Sequence, residues 1–222
     1  MKRREFTTQL AGYAGAGLAL ATAAASGDAQ AQGGPVEGTH YVKLQTAAPV
    51  TLPSPDKKIE VVEFFWYECP HCHQFEPLLD SWVKKLPADV AFRQVPVGFT
   101  ARHQLHQKLF YALEEMGQLA TMHRRIFAAI HVQNRRVSTE SEVMAFMKDQ
   151  GVDMAKFADA FKSFQVNTKA TRAKQLSDAY KIDGVPALGI QGRYFTSGAL
   201  AGSHDRALAV ADFLIARSRK PA

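Results

Sequence analysis

The run IEVVEFFWYECPHC, Ile59 to Cys72, constrains this chain more than any other stretch. Ile59 to Tyr67 is β-branched, aromatic and almost continuously apolar, the pattern of a strand buried on both faces. Glu60 and Glu63 interrupt it. Cys69 follows at once, and HCHQFEPLLDSWVKKL then reads as a helix with Cys72, Phe75, Leu78, Leu79, Trp82 and Leu86 near one face. Pro77 lies inside that helix. VAFRQVPV, Val90 to Val97, is a second strand, so strand, helix and strand make a βαβ unit.

The pattern then changes. From about Ala101 to Gln165 the chain reads as successive helices, with Phe110, Phe127, Phe146, Phe157 and Phe161 as their core. NTKATRAKQLSDAYKI is a further helix with Asn167 as its expected N-cap. GVPALGI and GRYFTSG follow, then a last amphipathic helix capped by Ser203 with Asp205 in its first turn. His40 to Gln45 predicts a short edge strand. Strands drawn from both ends of the chain around a helical middle describe an α/β or α+β sheet with a helical domain inserted.

Residues 1–31 read as a removable leader. Lys2, Arg3 and Arg4 form a positive start, Leu10 to Ala25 an apolar run, and Ala29-Gln30-Ala31 a cleavage pattern with the cut before Gln32. The run is too short and too rich in Gly and Ala for a good membrane span. Arg3, Arg4 and Phe6 also resemble the twin-arginine signal, which leaves the export route open. The net charge of +6 is spread along the chain without a basic block, which disfavours nucleic acid as a partner.

Export places the cysteines in an oxidising compartment. Cys69 and Cys72 are the only two in 222 residues, and the tiny loop they close cannot staple a fold. They are there for chemistry or for binding. Cys69 ends a buried strand and begins a helix, where unsatisfied amides and the positive end of the helix dipole stabilise a thiolate. Pro70 suits the first helical position, and His71 adds a donor or a cation. Cys69 is then the exposed residue attacked by a substrate thiolate, and Cys72, one turn in, its buried partner. The letters C-x-x-C-H also fit a haem tether with His73 as axial ligand. A sheet strand before the motif and a helix after it favour the redox reading. Zinc lacks a full ligand set, and His103 and His106, one turn apart, read as surface helix histidines rather than metal ligands.

With strand, C-P-H-C, helix, helical block and Gly184-Val185-Pro186 in place, the chain from about His40 onward resembles the DsbA-type thiol:disulfide oxidoreductases. The stretch VEFFWYECPHCHQFEP is highly specific for that family. The resemblance implies an α/β, thioredoxin-like fold with an inserted all-helical domain: 32–100 and 166–222 form the thioredoxin-like part and 101–165 the insertion. It carries Cys69, Pro70, His71 and Cys72 as the redox site, and Val185-Pro186 as a cis-proline pair that faces it and binds substrate. Pattern alone would make that proline an ordinary trans one. Glu63 matches the family's buried acid and implies a proton-handling role for Cys72. Arg93 is placed in the family's lysine position beside that acid, although Arg cannot give up its proton.

The activity so implied is donation of the Cys69–Cys72 disulfide to exported proteins through a mixed disulfide, with no cofactor beyond that disulfide and no metal. The implied setting is the periplasm. The implied partners are unfolded or folding exported proteins with free thiols and a membrane quinone-linked reoxidant of the DsbB kind, and the implied state is a monomer. A reductase or isomerase, and a c-type haem electron carrier, are the rival readings.

Overall fold

The computed structural model describes residues 33–219, and the expected leader lies outside the described residues. Ile59–Phe65 forms strand β2, with all seven residues buried. That burial follows from its place in the sheet, whose order is β1-β5-β4-β2-β3 among the described residues. The partners are β1 (Val42–Lys43), β3 (Val90–Pro96), β4 (Ala187–Ile190) and β5 (Tyr194–Ser197). β2 runs parallel to β3, with Glu63 opposite Gln94, and antiparallel to β4. β1 pairs with β5 at the edge. Strands from both ends of the chain therefore meet on the two sides of β2.

Alternate residues of a strand point to opposite faces, and β2 feeds a core on each. Ile59 and Val61 pack with Phe75 and Leu79 of helix α1 (Pro70–Val83) and with Leu208, Leu214 and Ile215 of helix α8 (His204–Ser218). Val62 and Phe64 belong to the other core, shared with α2 (Ala101–Glu115), α3 (Leu119–His131), α4 (Glu140–Asp149), α5 (Met154–Lys162) and α6 (Phe164–Ala179). Phe110, Phe127, Phe146, Phe157 and Phe161 are all buried there. The short α7 (Gly198–Ala201) precedes α8, which Ser203 caps by accepting the Arg206 amide.

Two expectations are corrected. α6 opens at Phe164, not beyond Asn167: the Ser163 hydroxyl accepts the Val166 amide at 3.0 Å, while Asn167 donates its side-chain amide to the Ser163 carbonyl at 2.7 Å. The nearer hydroxyl captures the free amide, and Asn167 falls into the first turn. Leu78, placed near the apolar face of α1, is 37% exposed, because Phe75 and Leu79 fill that face.

Gly189 of β4 is required by its neighbour. A Cβ there would stand 2.5 Å from Cε1 of Tyr180. That ring cannot give way, since the Gly192 amide donates to its hydroxyl at 2.8 Å and Phe64 packs on it at 5.2 Å. Gly189→Ala should therefore destabilise the protein by about 1–3 kcal/mol, the range for overpacking. An unchanged urea midpoint would contradict this.

Candidate redox site

Cys69 stands at the N-cap of α1 in extended conformation, with Pro70 at the first helical position. Both cysteines are free thiols. Cys69 is 9% exposed and Cys72, one turn in, is fully buried. The Cys69 pKa is pushed down to about 6, first by the hydrogen bond from the Cys72 thiol. Burial opposes that shift, and the amides of Cys72 and His71 and the charge of His71 add to it. The helix thus aims unsatisfied N–H groups at the one sulfur that can reach solvent. Cys72 goes the other way. Burial pushes its thiol well up, assisted by Cys69 and by the charge of Glu63, with the Trp66 amide opposing.

The bond between Val185 and Pro186 is cis. It brings the Val185 carbonyl to 3.4 Å from Cys69 Sγ. Val185 and Pro186 also line a largely apolar groove of about 730 Å³, together with Val42, His71, Leu200 and His204. His71 is exposed at the lip of the groove, and its ring centroid lies 6.4 Å from that of His204.

Glu63 is fully buried. Its Oε2 accepts from the Gln94 side-chain amide at 2.8 Å, and its Oε1 has no partner among the described residues. Burial, then the charge of Glu76, raises its pKa well above the usual carboxylate range, against the Gln94 bond. Burial thus disfavours the ionised form of this carboxyl. Arg93 is not beside this acid. It sits opposite Val62 in the parallel register, so its side chain lies on the other face and donates to Glu60 Oε1 at 2.9 Å. Glu60 is a second fully buried acid, which also accepts the Thr51 amide. Glu63 is served instead by Gln94, one residue along.

His106 is also corrected. It is fully buried, and its Nε2–H donates to the Val137 carbonyl at 2.8 Å. His103 stacks on Trp66 with centroids 4.1 Å apart. Among the described residues no three His, Cys, Asp or Glu side chains are grouped to hold a metal. A haem tether fits poorly as well. Cys72 is fully buried, so its sulfur is not placed to bond the edge of a porphyrin. Tyr67, Glu76, Gln94 and His123, which gather around Glu63 through Gln94, escaped the sequence reading, as did His204.

The Cys69 shift has a direct readout. The thiolate absorbance of the reduced protein should titrate near pH 6 and vanish with Cys69→Ser. Cys72→Ala, which removes the leading hydrogen bond, should raise the midpoint by about one unit or more. A group whose pKa falls on folding stabilises the folded state above its unfolded value and loses that contribution as pH falls through the folded one. The reduced protein should therefore gain stability to urea from about pH 6 toward pH 9, the span between the shifted and ordinary Cys69 values. A midpoint near 9 in the parent protein would contradict the assignment.

Comparison with known proteins agrees with this geometry. The model of the DsbA-like thioredoxin domain matches residues 91–205. A thiol:disulfide interchange protein DsbA of Azotobacter vinelandii is 43% identical over 82% of this chain and 84% of its own length. The DsbA of Bordetella parapertussis is 41% identical over 99% of this chain and 100% of its own, which takes in the cysteine pair. The crystal structure of Pseudomonas aeruginosa DsbA superposes with a TM-score of 0.76 at 40% identity, covering 82% of this chain and 93% of that one. The family model, these relatives and the solved structure agree over most of the chain, and the chain belongs to the DsbA-like thioredoxin family of thiol:disulfide oxidoreductases.

Proposed function

We propose that this enzyme donates its Cys69–Cys72 disulfide to exported proteins in the periplasm. The observation that carries the reading is the opposite displacement of the two thiols, Cys69 down to about 6 and Cys72 well up. A substrate thiolate attacks Cys69 Sγ. A new S–S bond forms to Cys69, the Cys69–Cys72 bond breaks, and its electron pair passes to Cys72 Sγ, which takes a proton. A second substrate thiolate then attacks the substrate sulfur of the mixed disulfide and expels Cys69 as a thiolate. The substrate leaves oxidised and the enzyme reduced. A low-pKa leaving group speeds that last step.

The same asymmetry supports an oxidant over a reductase. Between the shifted pKa and that of an ordinary thiol, each unit of thiolate stabilisation is worth about 1.36 kcal/mol to the reduced form. In a two-electron couple that is about 30 mV toward a stronger oxidant. Pro70 and His71 set the thiolate environment, and Glu63 is the proton donor nearest in character to Cys72. Val185, next to the cis proline, offers its backbone to an extended substrate segment by β-augmentation. The substrates are folding proteins with free thiols. The reoxidant is a membrane quinone-linked protein of the DsbB kind, and the working form is a monomer without cofactor or metal. Residues 1–31 direct export and are removed, and 101–165 act as the insertion between the two thioredoxin-like parts.

Cys72→Ser should accumulate mixed disulfides at Cys69 when expressed in a periplasm, visible as adducts lost on reduction. Adducts that appear only when Cys69 is the residue replaced would reverse the roles. His71→Leu should raise the Cys69 titration midpoint by up to about one unit and make the disulfide less oxidising. An unchanged midpoint and potential would remove His71 from the account.

A further inference from the structure

Strand β3, helices α2 and α6 and the loop before β2 enclose a cleft of about 450 Å³. It shares no lining residue with the groove at Val185–Pro186. Arg102, near the start of α2, reaches Glu68 beside Cys69. Tyr111 lines the cleft about 13 Å further along the axis of the same helix. The cleft is therefore separate from the redox end of the molecule.

Its donors outnumber its acceptors. Arg93 donates its Nε–H to Glu60 at 2.9 Å, and its Nη groups have no partner among the described residues. A guanidinium carries five N–H donors in a planar fork, so four remain. Lys169 gives one of its three to Glu114 Oε2 at 2.7 Å. Arg172 is exposed and pairs with no carboxylate among the described residues. Tyr111 is only 8% exposed, and its hydroxyl has no partner among the described residues. A hydroxyl so deeply placed is costly to leave unpaired. Arg93, Lys169 and Arg172 meet two carboxylates, Glu60 behind Arg93 and Glu114 beside Lys169, so one positive charge is left over. Lys174 and Asp178, also on α6, pair with each other. Pro49, Ala173 and Leu176 add an apolar wall.

We propose that this cleft binds a small organic carboxylate with an apolar body. The carboxylate accepts from the Tyr111 hydroxyl and from the free Nη edge of Arg93, and Arg172 supplies the uncompensated charge. The body of the ligand covers Pro49, Ala173 and Leu176. A planar carboxylate matches a guanidinium edge with two parallel bonds. One negative charge balances the cleft, whereas a phosphate carries more than one at neutral pH and has nothing to lay on the apolar wall. A ligand held there ties α2 and α6 to β3 and stabilises the fold by mass action. It touches neither cysteine, so the site stands apart from the exchange chemistry.

The probe is 3-phenylpropionate, with 3-phenylpropanamide as its uncharged counterpart and inorganic phosphate as the bare anion. Titrated into the protein at pH 7, 3-phenylpropionate should shift the amide NMR signals of Tyr111 and Arg172 with a Kd below about 1 mM. The signals of Val185 and Leu200, in the redox groove, should stay in place. The amide and phosphate should each bind about tenfold more weakly or worse. Tyr111→Phe should weaken 3-phenylpropionate about tenfold and leave the urea midpoint unchanged, because the hydroxyl bonds nothing in the protein. Arg172→Gln should weaken it about threefold, an effect that fades as salt is added. Both variants should exchange disulfides at the parent's rate. Binding only at tens of millimolar, equal binding of the amide or of phosphate, shifts centred on Val185 and Leu200, or parent affinity in both variants would each overturn the proposal.

Discussion

The site depends on one junction, where a fully buried strand ends and a helix begins within four residues. The unsatisfied amides at a helix start stabilise whatever negative group stands at its N-cap. Here that residue is Cys69, with Pro70 next, so the turn forms without wasting a donor. β2 is held between β3 and β4 and covered on both faces, so the helix start has a fixed position against the Val185–Pro186 turn. The cysteine one turn further in then falls into the core. A single piece of geometry places one sulfur among N–H groups and the other among hydrocarbon.

The same strand carries two fully buried carboxyl groups, which would be expensive without partners. Each meets a different solution. Glu60 faces Arg93 and the Thr51 amide, an ion pair that ties the leading loop to the sheet. Glu63 faces an amide and a second acid, and burial raises its pKa. One face of β2 thus holds a paired charge and the other a carboxyl whose ionisation burial opposes. Only the second lies on the side of the redox pair.

What was legible in the sequence was what is local. The apolar run, the cysteine after it and the proline at N1 are adjacent letters, and they became β2, the N-cap and α1. The five phenylalanines of the helical block, each within a stretch that reads as helix, are buried as expected. The cis bond was legible only through family resemblance, because a Gly-Val-Pro triplet by itself also suits a trans turn. Only the family resemblance sets Arg93 beside Glu63, and a resemblance does not fix which face a strand residue takes. The register puts Val62 opposite Arg93 and so sends its side chain to the other face. His106 became a core residue because Val137, on a distant loop, offers it a carbonyl. Tyr67, Glu76, Gln94 and His123 come from separate elements, and no spacing rule joins them.

The account stands on the claim that the N-terminus of α1 favours the Cys69 thiolate enough to make the Cys69–Cys72 disulfide an oxidant. The redox equilibrium of the purified protein with reduced and oxidised glutathione, followed from pH 5 to 9, tests this most directly. The account predicts that the protein stays reduced while glutathione is oxidised, with the preference weakening as the pH falls from about 9 to about 6 and levelling off below, where Cys69 holds its proton. A disulfide more stable than that of glutathione across the whole range would contradict it.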